Sequence, residues 1–248
     1  MKLIKAEFSK KHLDQLPKEE KVFFVQLTHL LDELSILSKC VIFVSNAIEG
    51  KQGVEKTAQR MQALFFIRIL AGKIYEGWQM FRASYFSSQL SQKYDKLLSN
   101  SASESIGKLK RYFDRSNLIY EIRNKYAFHY DRENVENQLN CITQDETLSI
   151  LISEHQGNNL FAFSDTIINS SILNSINPND QQKAMDTFVE EVILKACKWF
   201  QNFGYEFVEF IIKNFEFNCE EIEFEVVPTI EDVKIPYFVR MRKGNQSV

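Results

Sequence analysis

The sequence predicts a mainly α-helical protein in which long helices pack as an antiparallel bundle. The chain of 248 residues contains eight glycines and four prolines, a low share that leaves few turns and favours long uninterrupted helices. Apolar residues recur at alternating spacings of three and four, the period of an amphipathic helix. Most of the 21 phenylalanines fall at such spacings, which indicates core packing. We expect one domain, 1–248, with a sizeable core.

Composition and charge limit the kinds of protein that this chain is expected to be. Hydrophobic residues make up 44% and charged residues 25%, ordinary values for a soluble globular chain. The net charge of −3 argues against an extended basic surface that coats nucleic acid, but it permits a small basic cleft. The four cysteines are widely scattered, so neither a zinc site nor a disulfide framework is expected. Without a signal-like apolar run at the start or a membrane-spanning segment, the sequence predicts a cytoplasmic protein.

The first long helix is predicted to begin after Pro17 and to end at Gly50 and Gly53. Proline fits the first turn of a helix because its missing N–H would have no partner there. The apolar stripe of this helix comprises Phe23, Leu27, Leu30, Leu34, Leu37, Val41, Val44 and Ile48. A stripe of this length predicts a helix buried along most of its course.

A second long helix is predicted from about 54 to 90, with Gly72 and Gly77 inside it. Each glycine lowers helix propensity by about 1 kcal/mol relative to alanine, so a close approach of another helix is expected there. Glu76 lies between the two glycines, where its carboxylate is expected to be satisfied by a neighbouring helix.

Two shorter helices and a loop are predicted in the middle of the chain. Ser101 and Glu104 form the capping-box pattern of a helix start. Ser116 or Asp114 is predicted to cap the helix that follows. The polar stretch 134–144 is predicted to be a loop.

The second half adds β-structure to the helical pattern. Two apolar runs around a Gly-containing turn predict a small β-hairpin at about 147–164. A short helix is predicted through Ile176, and Asn177 with Pro178 predicts the start of another long helix. From about 216 to 248, apolar and glutamate residues alternate with strand periodicity, which predicts a short β-rich tail with an acidic face.

The helix after Ser116 carries the residues most suited to chemistry. Arg123 offers a planar fork of donors that can bind phosphate oxygens at any pH. His129 can accept or donate a proton near neutral pH, because the unperturbed pKa of histidine is roughly 6.5. Between Lys108 and Arg132 the chain has seven basic and three acidic residues, a local excess of positive charge typical of an RNA-binding surface. The same excess is also compatible with the solvated face of two charged helices.

The run Arg123-Asn124-Lys125-Tyr126-Ala127-Phe128-His129 is similar to the signature of the HEPN superfamily. That signature has an Arg, then a polar residue, and a His four to six residues after the Arg. The flanks Ile119-Tyr120-Glu121-Ile122 and Tyr130-Asp131 resemble those of abortive-infection-type HEPN proteins. The resemblance implies a HEPN-like helical bundle and a homodimeric endoribonuclease that needs no metal and no cofactor. It also implies a toxin or phage-defence effector that acts on RNA, with an antitoxin protein as a further partner.

The resemblance also assigns roles. His129 would act as general base on the 2′-hydroxyl or as general acid on the departing 5′-oxygen. Arg123 would stabilise the charge of a phosphorane-like transition state, and Asn124 would orient the phosphate or the imidazole. Cleavage would leave a 2′,3′-cyclic phosphate. The substrate-binding candidates are Lys125, Tyr126, Tyr130, Arg111 and Arg115, and the supporting acidic candidates are Glu76 and Asp131.

Several of these roles have structural alternatives. Tyr126 and Tyr130 could stack on a base or pack in the core. Asp131 could hold the ring of His129 in one tautomer or end the helix as a solvated residue. Arg123 and His129 could themselves be satisfied at a helix end.

Helix geometry constrains how Arg123 and His129 could meet. Six positions apart on an ideal helix, they point about 120° away from each other, since successive residues turn by about 100°. Either a local distortion of the helix or a two-fold dimer could bring both to one phosphate, and HEPN proteins use the dimer.

Two other functions fit the sequence: a non-catalytic HEPN-like module that binds nucleotide or RNA, and a helical interaction protein whose acidic strand at 221–227 pairs with a partner's sheet.

Overall fold

The computed structural model describes residues 1–127, 132–145 and 147–240. The mainly α-helical class predicted from the sequence is confirmed, and a two-stranded antiparallel sheet accompanies the helices. In chain order the elements are β1 (Lys2–Ala6), α1 (Lys10–Leu13), α2 (Lys18–Asn46), α3 (Gly53–Met80) continued by a π-helix (Phe81–Phe86), α4 (Leu90–Tyr94), α5 (Asn100–Phe113), α6 (Leu118–Ile122) continued by a π-helix (Arg123–Ala127), α7 (Arg132–Cys141), a 3₁₀ turn (Gln156–Asn158), α8 (Ala162–Ile176), α9 (Gln181–Asp186) continued by a π-helix (Thr187–Leu194), α10 (Lys195–Ile212) and β2 (Cys219–Glu223).

Helices α2 and α3 form an antiparallel pair at the centre of the bundle. Near the start of α2, the ring of Phe23 lies 5.4 Å from that of Phe81, which directly follows α3. At the opposite end, the Gln59 amide on α3 donates to the carbonyl of Val44 near the end of α2, at 3.1 Å. Both predicted long helices are therefore present, although α2 ends at Asn46, before the glycines, and the second helix ends before residue 90.

Helix α10 packs against α2 and runs antiparallel to α5. The Ser99 hydroxyl at the start of α5 donates to Glu206 at 2.5 Å, late in α10. At the end of α5, the ring of Tyr112 lies 6.3 Å from Trp199, early in α10. The predicted antiparallel packing thus holds for both pairs of long helices.

Aromatic side chains fill the space between α2, α3 and α10. Their ring centroids lie 5.1–6.3 Å apart, mostly in edge-to-face arrangements that add about 0.5–1.5 kcal/mol per pair beyond simple burial. The fully buried rings at this centre are Phe23, Phe81, Tyr85, Phe200, Phe203 and Phe207. Phenylalanines at helical spacing thus form the centre of the core, although Phe65 inside α3 is 49% exposed.

Two glycines let leucines of α2 approach neighbouring helices closely. A Cβ atom built on Gly77 would lie 2.7 Å from a methyl of Leu30, and one on Gly204 would lie 2.7 Å from a methyl of Leu31. The close contact expected at Gly77 therefore exists, and its partner is a side chain.

The small sheet pairs the first strand with a strand that follows the last long helix. Strand β1 pairs antiparallel with β2 in the register Lys2↔Glu223 to Ala6↔Cys219. Nearly all of its residues are exposed, and Lys2 forms an ion pair with Glu221 at 2.6 Å. The acidic strand of the tail was predicted, but its basic partner at the N-terminus was not.

Several predicted element boundaries were wrong. The stretch 134–144 was expected to be a loop, yet α7 covers most of it. The predicted hairpin at 147–164 is reduced to one antiparallel bridge between Leu151 and Leu160, and α8 already begins at Ala162. In the predicted β-rich tail at 216–248, the described strand is confined to β2.

The helix caps also differ from those predicted. Ser99, Asn117 and Asp180 accept the capping N–H bonds of α5, α6 and α9. The expected capping residues were Ser101, then Ser116 or Asp114, and Asn177. Each error spans one to three positions within a cluster of Ser, Asn and Asp, residue types of similar capping strength.

After β2 the chain crosses back over α2 and α3 as an irregular strap, residues 228–240. The side chain of Gln59 donates to the carbonyl of Ile235 at 2.8 Å and accepts from the N–H of Tyr237 at 3.0 Å. Asn158 bonds both backbone groups of Val239 in the same way, at 2.8 and 3.2 Å. Side-chain amides thus hold the strap through hydrogen bonds to its main chain.

Within the described ranges, none of the helices has both the length and the apolar character needed to cross a bilayer.

Candidate functional site

The site is built on α6 and the π-helix that follows it. The Asn117 side chain accepts the N–H of Tyr120 at 2.9 Å and caps α6, while Ile119 and Ile122 bury the inner face of the helix. The N–H of Ile119 also donates to the hydroxyl of Tyr112 at 3.4 Å. Burial raises the pKa of Tyr112 to about 12.

The helix changes character at the start of the predicted motif. From Arg123 to Ala127 the backbone is a π-helix, whose hydrogen bonds span five residues rather than four. Such a stretch rotates the residues beyond it relative to a regular helix, and π-bulges are frequent at functional sites. A local distortion was one of the two geometries by which the motif could converge, and the first five residues of the motif have it.

The guanidinium of Arg123 is held on two sides. Its Nε and Nη2 donate to the same carboxylate oxygen of Glu76, at 3.1 and 2.9 Å, and its Nη1 donates to the Asn124 amide oxygen at 2.9 Å. The Arg123 Cζ also lies 5.6 Å from the ring centroid of Tyr75. These contacts fix the plane of the guanidinium at the junction of α3 and α6.

Arg123 remains accessible in spite of these contacts. The exposed fraction of its side chain is 30%, and that of Glu76 is 48%. Three of the five N–H donors of a guanidinium are used, which leaves two for an anion, as far as the described residues show. One oxygen of Glu76 accepts both bonds, a geometry weaker than a fork in which each carboxylate oxygen accepts one. The arrangement therefore presents an oriented cation to solvent.

The sequence order of α3 explains why Glu76 reaches Arg123. Gly77, the residue after Glu76, faces Leu30 of α2, so the core-facing side of α3 is fixed at that point. Tyr75 and Glu76 then turn towards α6, which packs against α3. Glu76 was expected to be satisfied by a neighbouring helix, and its partner is the first residue of the motif.

The basic candidates are exposed side chains of α5, the turn after it and the π-helix. Lys125 in the π-helix, Arg111 in α5 and Arg115 just after α5 are all exposed. Within the described part of the chain, neither Arg111 nor Arg115 forms a hydrogen bond or ion pair with Arg123 or Glu76. They are therefore not part of the hydrogen-bonded cluster at Arg123.

Other predicted site residues cannot be placed. His129, Tyr130 and Asp131 lie outside the described residues, and for Tyr126 the structure describes the backbone alone. The sequence prediction, in turn, missed Tyr75 and Tyr120. Tyr120 precedes Arg123 by three positions and so shares its helix face, a spacing that could have identified it.

Compared with known proteins, the chain matches no family model, no curated protein sequence and no solved structure. Its function is therefore inferred from the geometry around Arg123 and from the motif itself.

Proposed function

We propose that the chain is a HEPN-type, metal-independent endoribonuclease that cleaves RNA through its 2′-hydroxyl. The observation that supports this most is the guanidinium of Arg123, oriented by Glu76 and Asn124 and still open to solvent. A cation that is already positioned needs little reorganisation when negative charge develops on a phosphate, and such preorganisation is often the largest contribution to catalysis.

In the proposed reaction the 2′-oxygen attacks the adjacent phosphorus while the bond from phosphorus to the 5′-oxygen breaks. A base accepts the 2′-hydroxyl proton, and an acid donates a proton to the leaving 5′-oxygen. His129 performs one of these transfers. The products are a 2′,3′-cyclic phosphate and a free 5′-hydroxyl. Arg123 stabilises the phosphorane-like charge, and Asn124 holds Arg123 in place through its amide oxygen.

Lys125, Arg111 and Arg115 would bind neighbouring phosphates of the strand, since they are exposed on the same basic part of the chain. We further propose that the active form is a homodimer, with both motifs facing one groove, as the resemblance to HEPN proteins implies. On this proposal the protein acts in the cytoplasm as a toxin or phage-defence effector, restrained by an antitoxin protein.

One observation favours a second candidate function, a non-catalytic HEPN-like module that binds RNA or nucleotide. Arg123 already engages Glu76 and Asn124 in the free protein, so the cluster could serve a purely structural or binding role. A protein that binds RNA tightly and leaves it intact at high concentration would favour this function.

The experiment compares RNA cleavage in the presence of EDTA by the wild type, Arg123→Ala and His129→Ala. Arg82→Ala and His29→Ala are the matched controls, because both side chains are exposed on helical segments elsewhere. We expect cleavage with cyclic-phosphate ends by the wild type and both controls, and a loss of at least about a hundredfold in the two motif variants. Cleavage that survives both motif substitutions would reject the site.

A further inference from the structure

The Arg123 guanidinium lies over the ring of Tyr75, which in turn contacts the ring of Tyr120. Tyr120, on the same helix face as Arg123, has 46% of its surface exposed. Its ring centroid lies 5.6 Å from that of Tyr75, with the ring planes at 60°. Tyr75 in turn lies 5.6 Å from the Arg123 Cζ. An exposed aromatic ring and an oriented cation are thus linked through one intervening ring.

Neighbouring residues of the protein hold both tyrosines in place. The backbone of Tyr120 is fixed because its N–H is bonded to the capping side chain of Asn117. Tyr75 lies 6.5 Å from the ring of Phe113, which stacks on Trp78 at 5.0 Å with nearly parallel planes. The aromatic layer therefore continues from the surface into the core, and little side-chain entropy remains to be lost when a ligand stacks on it.

We propose that Tyr120, supported by Tyr75, is a stacking platform for a nucleobase of single-stranded RNA bound at Arg123. This inference rests on the proposed function, because it takes Arg123 as the residue that binds phosphate. In a strand each base is followed by a phosphate, and the platform and the guanidinium offer a partner for each of the two groups. A paired duplex keeps its bases in the stack, so an unpaired strand is the ligand that fits.

The platform predicts tolerance of base identity. Every base presents a π-face to an aromatic ring, and the described ring contact of Tyr120 is with Tyr75, over which Arg123 lies. The site should therefore select unpaired nucleotides over paired ones and discriminate weakly among the bases.

The test measures binding by fluorescence anisotropy with two labelled strands that cannot be cleaved. One is a decamer of 2′-O-methyladenosine, and the other is a decamer with the same methylated ribose-phosphate backbone and no bases. The proteins are the wild type, Tyr120→Ala, Tyr120→Phe and Arg123→Ala. Tyr205→Ala is the matched control, since Tyr205 is a similarly exposed helical tyrosine on α10, at 54%.

The wild type should bind the adenosine strand at least about fivefold more tightly than the abasic strand, the lower end of the effect of one stacked base. Tyr120→Ala should remove most of that difference and leave the affinity for the abasic strand unchanged. Tyr120→Phe and Tyr205→Ala should behave as the wild type, because the first keeps the ring and the second lies on another helix.

The outcomes separate the platform from the proposed function. If Arg123→Ala weakens both strands but Tyr120→Ala keeps the full preference for bases, the platform is wrong and the phosphate-binding role of Arg123 stands. If Arg123→Ala changes neither affinity, the proposed function loses its phosphate-binding residue, and the platform fails with it. Failure of the wild type to bind either strand would overturn both proposals.

Discussion

At the scale of single residues, Arg123 is constrained and available at once. Glu76 and Asn124 occupy part of its hydrogen-bonding capacity and fix its orientation, while 30% of the side chain remains exposed. A surface ion pair of this kind contributes at most about 1 kcal/mol to stability. Orientation of the guanidinium is therefore a more substantial consequence of the pair than its contribution to folding.

Whether the ion pair orients Arg123 rather than stabilises the fold can be tested by replacing Glu76 with glutamine. Glu76→Gln keeps the size of the side chain and removes the charge that holds Arg123. We expect the rate of RNA cleavage to fall by about tenfold or more, because a small misplacement of a catalytic group costs that much. The free energy of unfolding should change by less than about 1 kcal/mol.

The matched control is Glu33→Gln, since Glu33 forms a comparable surface ion pair with Lys73 at 2.8 Å. It should leave both the cleavage rate and the stability close to the wild type. An unchanged rate in Glu76→Gln would show that Glu76 does not position Arg123 for catalysis.

At the scale of elements, close helix packing sets which face of each helix is exposed. Leu31 of α2 lies where a Cβ on Gly204 of α10 would stand, with two methyl carbons and the Cγ within 3.1 Å. Leu31 is 3% exposed and has little space to move. The glycine in α10 is therefore a packing residue, although it lowers helix propensity.

Gly204→Ala should destabilise the protein by about 1 kcal/mol. Overpacking typically costs about 1–3 kcal/mol, and the gain in helix propensity offsets about 1 kcal/mol of it. Denaturant unfolding measures the change. In a Leu31→Ala background the same substitution should become neutral or stabilising, because the opposing methyl groups are gone.

Gly107→Ala in α5 is the matched control for this substitution. A Cβ there would meet the Arg111 side chain at 3.7 Å, an ordinary contact. It should stabilise the protein by up to about 1 kcal/mol. If Gly204→Ala also stabilised the protein, the close approach of α10 to α2 would be contradicted.

The sequence predicted helices better than the points where they start. The stripe of α2 identified most of its buried residues because a helix repeats its face every three to four positions. The caps at Ser99, Asn117 and Asp180 were missed because several neighbouring residues could each accept the same bond. Tertiary packing, which local sequence does not contain, selects among them.

At the scale of the whole molecule, segments that are far apart in sequence meet. Strand β1 pairs with β2. The side-chain amides of Gln59 and Asn158 donate hydrogen bonds to residues 228–240, the strap that crosses α2 and α3. Local patterns predicted the acidic strand but could not name a partner more than 200 positions away. The same limit applies to the site: Arg123, Asn124 and Glu76 were predicted from sequence, whereas the layer of Tyr75 and Tyr120 depends on the docking of α6 against α3.

The proposed dimer makes a prediction for the whole protein. Sedimentation should give twice the chain mass of 29.1 kDa at concentrations where cleavage is observed. Specific activity should fall on dilution below the dissociation constant of the dimer, because each groove then loses one of its two motifs. Full activity from a species with the mass of a monomer would contradict the two-motif groove.

The most direct test of the account replaces one hydroxyl in the substrate. The cleaved phosphate is first mapped in an RNA oligonucleotide treated with the wild-type protein in EDTA. A second oligonucleotide carries a 2′-deoxynucleotide on the 5′ side of that phosphate and is otherwise identical. We predict that cleavage at this phosphate is abolished and that the unmodified RNA ends in a 2′,3′-cyclic phosphate. Cleavage of the deoxy-substituted strand at the same phosphate and rate would contradict attack by the 2′-hydroxyl.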